Sequence, residues 1–76
     1  MRDRIVELLS DALPAVDLES DFLFGELDSL SVVTIMMILS DEYKITLDAT
    51  DATPRNFRSV DALVRMVENK LAAKQV

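Results

Sequence analysis

The chain has 76 residues with no cysteine and no histidine, and half of its residues are apolar. That is enough for one small folded domain, but it excludes disulfides, thiolate or imidazole metal sites, and any Ser-His or Cys-His catalytic pair. A net charge of −6 argues against nucleic acid, whose phosphates require a basic surface, and suits steered encounters with basic protein surfaces.

The opening stretch "MRDRIVELLSDAL" predicts a first helix over residues 2–13. Ile5, Leu8, Leu9 and Ala12 recur at helical spacing, and Val6 and Leu13 widen the stripe. Pro14 ends the helix, because its ring removes a donor and disfavours helix at the residue before it. The segment is charged and amphipathic, unlike an export signal, and no apolar run approaches the ~20 residues of a membrane helix. The expectation is a cytoplasmic protein with no membrane span.

Residues 14–28, "PAVDLESDFLFGELD", form a long connection of a length that is uncommon without a function or packing of its own. Val16, Leu18, Phe22 and Leu27 are the expected anchors to the core. Asp17, Glu19 and Asp21 are spaced somewhat like a calcium loop, but the turn glycine is missing and Phe22, Leu23 and Phe24 follow. They read as a solvated loop, and no metal site is expected.

A second helix is expected over residues 29–42, with Asp28 as N-cap and its charge at the positive end of the helix dipole. Val32, Ile35, Met36, Leu39 and Tyr43 gather on the core side. Leu30, Val33 and Met37 fall on another side that begins next to Ser29. They either enlarge the core or form a contact surface, and Ser29 either helps start the helix or serves as an attachment point. Farther on, Ile45 and Leu47 can tuck inward, and Thr53 precedes a proline at the first position of a short helix over 54–57. Ser59 caps the last helix, expected over 60–73, whose stripe is Val60, Leu63, Val64, Val67 and Leu71, with Lys70 and Lys74 at its C-terminal end. No alternating stretch is long enough for a strand. The result is an all-α single domain over 1–76: three main helices, one short helix and a long first loop.

The Asp28-Ser29-Leu30 triplet opening a helix, the "YKI" element at its end and "NFRSVDAL" leading into the last helix together resemble the acyl carrier proteins and related carrier domains. The resemblance spans about residues 2–72. It implies a small four-helix bundle without catalytic residues of its own, in which Ser29 bears 4′-phosphopantetheine. A phosphopantetheinyl transferase would attach that arm from coenzyme A, and the arm's thiol would hold acyl groups as thioesters. Asp28 would cap the helix and meet the transferase. Leu30, Val33, Met37, Asp41 and Glu42 match the family's partner-docking side, and Val32, Ile35, Met36 and Leu39 the interior that can shelter an acyl chain. The implied partners are the transferase and loading or processing enzymes of ligase, synthase or acyltransferase type, with basic or apolar docking surfaces; the chain is expected to be a monomer.

Several residues depart from the family pattern. Ser31, Thr34 and Ser40 stand where carriers of primary fatty acid synthesis are commonly acidic, Gly25 lies four residues before the serine instead of three, and Lys44 stands where a helix-ending glycine is usual. They point away from the housekeeping fatty acid carrier and towards a dedicated lipid or polyketide-type pathway. The alternatives are an aminoacyl or peptidyl carrier, although "GELDS" lacks the paired glycines frequent in the peptidyl class, and an unmodified acidic helical adaptor. A start at Met1 and an end soon after the last helix favour a free-standing carrier.

Overall fold

Helices α1 (Arg2–Ala12), α2 (Ser29–Tyr43) and α3 (Val60–Lys74) pack pairwise in a computed structural model. It describes the backbone of residues 1–74 and the side chains of residues 1–73. The expectation for the Lys74 side chain lies outside the described residues. Among those residues there is no strand, and no helix is long and apolar enough to cross a membrane. The radius of gyration of 11.4 Å matches the ~11 Å of a compact chain of this length.

Each helix has a legible local cause. α1 ends at Ala12 and not at residue 13, because Leu13 before Pro14 leaves the helical region (φ −130°, ψ 66°), as the proline ring demands. α2 starts at the Asp28 cap, whose carboxylate accepts from the Ser31 amide at 2.7 Å. It runs one residue beyond expectation and stops at Lys44, which adopts left-handed geometry (φ 54°, ψ 47°). The Ile45 amide then donates back to the Ser40 carbonyl at 3.2 Å, the long reverse bond of a glycine-type stop made here by a lysine. Ser59 caps α3 as expected, its hydroxyl accepting from the Ala62 amide at 3.2 Å.

The core gathers Ile5 and Leu9 of α1, Ile35 and Leu39 of α2, and Val60, Leu63, Met66 and Val67 of α3, closed by Leu18, Leu23, Ile45 and Phe57 from the connections. Ala12 is exposed, since Leu13 turns inward in its place. Met66 and Phe57 are core residues that the stripes above do not include.

The long connection corrects one anchor. Phe22 is 55% exposed while Leu23 is fully buried. The backbone explains the exchange: residues Leu23–Glu26 form a 3₁₀ helix, and the Leu23 amide donates to the Arg58 carbonyl at 2.6 Å. That bond pins Leu23 against the start of α3. Phe22 instead lies over Gly25, where an added Cβ would stand 2.9 Å from its ring. Val16, Leu18 and Leu27 do pack on the core.

The short helix expected at 54–57 is a single turn, closed by the Phe57 amide on the Thr53 carbonyl at 3.0 Å and by the Asn56 amide on the Thr53 hydroxyl at 3.1 Å. One turn has too few internal bonds to propagate; it serves to drive Phe57 into the core. A 3₁₀ helix at Ala49–Asp51 precedes it, held by a capping box between Asp48 and Asp51. Lys70 reaches Asp51 at 3.1 Å, tying that turn to α3.

Candidate functional site

Ser29 is the first residue of α2 and is exposed. The Asp28 carboxylate beside it is fixed by the Ser31 amide, and that backbone hydrogen bond, followed by one from the Ser31 side chain, holds it below the ordinary carboxylate range. The first turn is further closed by the Val32 amide on the Asp28 carbonyl at 3.0 Å and by the Thr34 hydroxyl on the Leu30 carbonyl at 2.8 Å. A primary hydroxyl is thus presented on a rigid first turn, at the positive end of a 15-residue helix. A phosphodiester formed there would meet backbone amides and a favourable dipole. The residues present fit a phosphate-linked arm.

Along the same side of α2, Leu30 is 75%, Val33 49% and Met37 67% exposed. They form a continuous apolar strip that leads from Ser29 to about 12 Å along the helix at 1.5 Å per residue. Asp41 continues the strip and is open to solvent. Glu42, also exposed, is engaged within the fold. Its carboxylate accepts from the Arg4 side chain at 3.1 Å, bridging α2 to α1, and that hydrogen bond lowers its pKa.

The residues expected to shelter an acyl chain are divided. Ile35 and Leu39 have no exposed surface and Val32 is half-buried against them, so they form packed core. An open groove of about 530 Å³ lies instead on the outer flank of α2, walled by Val33, Met36, Met37 and Leu47, with Ser40, Asp41 and Lys44 at its far end. Only Met36 belongs both to the expected interior set and to this groove. Sequence reasoning missed it because the groove exists only where the extended segment after Lys44 brings Leu47 back beside the helix. The one available signal was the lysine at a glycine-type helix stop.

A family described as "Phosphopantetheine attachment site" matches residues 2–67 of the chain. The chain belongs to the phosphopantetheine-binding carrier proteins. Aminoacyl carrier protein 1 of Bradyrhizobium diazoefficiens is 31% identical over 77 aligned positions, covering 93% of this chain and 86% of that protein. Aminoacyl carrier protein 2 of the same organism is 38% identical over 47 positions, covering 62% of this chain and 53% of that one. No solved structure matches. The covalent cofactor of this carrier protein is 4′-phosphopantetheine, which supplies a terminal thiol for thioester formation. Carrier proteins of this family meet a phosphopantetheinyl transferase and the enzymes that load and process their cargo.

Proposed function

We propose that Ser29 is the attachment point of the arm and that this carrier protein holds an aminoacyl group on it as a thioester. The observation that carries the first half is the position of Ser29: an exposed hydroxyl on the first residue of α2, beside a fixed Asp28 cap. The relatives named as aminoacyl carriers support the second half. Leu30, Val33 and Met37 are the docking strip for the transferase and for a loading enzyme of ligase type, with Asp41 as its charged end. The working location is the cytoplasm, where coenzyme A and the transferase meet the chain.

The apolar walls of the groove favour a second reading, a short acyl cargo of lipid or polyketide type. Cargo mass separates the two. The carrier would be purified from its native cells and its intact mass recorded before and after neutral hydroxylamine, which cleaves thioesters. Loss of a mass equal to an amino acid residue is the expected result. Loss of a plain acyl mass would overturn the aminoacyl half while leaving the carrier reading in place.

A further inference from the structure

We infer that the recess between the turn at 54–57 and the outer flank of α3 is a docking point for an acidic side chain of a partner protein, whose carboxylate Arg55 and Arg65 would hold. Neither Ser29 nor its arm takes part.

Charge pairing is uneven across the molecule. The chain has 14 Asp and Glu against 8 Lys and Arg, so an unpaired cation is the exception. Arg2 meets Asp61, Arg4 meets Glu42, Lys44 meets Asp41 and Lys70 meets Asp51. Arg55, Arg58 and Arg65 hold no ion pair and no side-chain hydrogen bond among the described residues. Asp61 stands close in sequence to both Arg58 and Arg65, but Arg2 takes it at 2.8 Å. Glu68, the other acid within a turn of Arg65, is exposed and lies outside the recess. An acidic protein thus presents one locally basic face.

Two of the three arginines share a recess. Arg55, Asn56, Ala62, Arg65, Met66 and Asn69 line about 190 Å³. Phe57 is fully buried and its amide donates to the Thr53 carbonyl at 3.0 Å, so the turn that carries Arg55 is fastened to the core. Asn56 adds a second tie, its side-chain amide donating to the Asp51 carbonyl at 2.9 Å. Arg65 stands on α3 between Ala62 and Asn69 at the spacing of one helix face. Ala62, the smallest lining residue, leaves the room, and buried Met66 closes the floor.

Size and chemistry select the occupant. The recess is smaller than the ~300–1,000 Å³ of a site for a cofactor or drug-sized molecule, and it suits a single side chain. Guanidinium groups present planar, paired donors that match a carboxylate or a phosphate. The net charge of −6 disfavours nucleic acid, and like-charge repulsion disfavours a second copy of this chain. An Asp or Glu set in an otherwise neutral or basic protein surface meets neither objection. Arginine is also among the side chains that carry most of the binding energy at protein interfaces.

The test follows arginine Nε–H and Asn side-chain signals of the full chain by NMR. The probe is a capped peptide, acetyl-Gly-Asp-Glu-Gly-amide, compared with its uncharged counterpart acetyl-Gly-Asn-Gln-Gly-amide at equal ionic strength. The acidic peptide should shift the Arg55, Arg65 and Asn69 signals, the uncharged one should not, and the core amides of Leu63 and Val67 should stay in place. Arg55→Gln and Arg65→Gln should each weaken binding about threefold, the weight of one partly exposed ion pair. Arg58→Gln, outside the recess, should leave it unchanged. Equal shifts from both peptides, no shift from either, or an equal loss in Arg58→Gln would overturn the inference. So would shifts as large from inorganic phosphate, which would make the recess a simple anion site. Tighter binding of a short oligothymidylate, or the same shifts on concentrating the protein alone, would overturn it in favour of nucleic acid or a second copy.

Discussion

Lys44 and Asp28 mark the two ends of α2, and each makes a single-residue claim that can be measured. The left-handed backbone at Lys44 strains any side chain with a Cβ, whereas its ion pair with Asp41 is exposed and contributes little. Lys44→Gly should therefore stabilise the fold by about 0.5–1 kcal/mol in urea unfolding, glycine's greater freedom in the unfolded chain offsetting part of the relief. A loss of stability would mean that the side chain is structural. At the other end, the amide of Ser31 depresses the pKa of Asp28. A depressed carboxyl contributes fully above its unfolded pKa, near pH 4, and loses that contribution as the pH falls through the folded value. Asparagine caps about as well but does not titrate. Asp28→Asn should keep stability at pH 7 and make the acid loss below about pH 4 shallower; an unchanged acid profile would remove Asp28 from the explanation.

At the scale of elements, α2 is apolar on two sides, one packed into the core and one open to solvent. Leu39 has no exposed surface and Met37 is mostly open to solvent. Leu39→Ala should destabilise by about 2–5 kcal/mol, a large part of what a small domain possesses. Met37→Glu should leave helicity and melting temperature nearly unchanged but slow arm attachment and cargo loading. Because Ser31, Thr34 and Ser40 supply no charge along this face, added salt should change those rates less than the substitution does. Unfolding of Met37→Glu would assign the residue to the core. The division between faces was readable in the sequence because fifteen residues give helical periodicity room to repeat. The two 3₁₀ helices and the outward turn of Phe22 were not. In "DFLFG" three apolar residues stand in a row, and the bond from Leu23 to Arg58 holds Leu23 inward, with Phe24 partly buried beside it and Phe22 outside. The turn at 54–57 was legible in both position and length, since Thr53 and Pro54 mark its start and four residues are too few to propagate without packing.

Across the whole molecule, three helices leave much of the closing to the connections, with Leu18, Leu23, Ile45 and Phe57 completing the core. Exposed bridges from Arg2 to Asp61 and from Arg4 to Glu42 lace α1 to its two partners. Helix number and the position of Ser29 could be read from pattern and from the resemblance carried by Asp28-Ser29-Leu30. The groove could not, because it joins Met36 to Leu47 through a chain reversal that no local signal encodes. What this frame presents is an exposed serine at the start of α2, and the proposed function depends on its hydroxyl. The most direct measurement is the intact mass of the apo protein after incubation with coenzyme A and a broad-specificity phosphopantetheinyl transferase, for wild type and Ser29→Ala in parallel. The wild type should gain one phosphopantetheine and the variant none. A wild type that stays unmodified, or a Ser29→Ala protein that gains the same mass, would contradict the assignment.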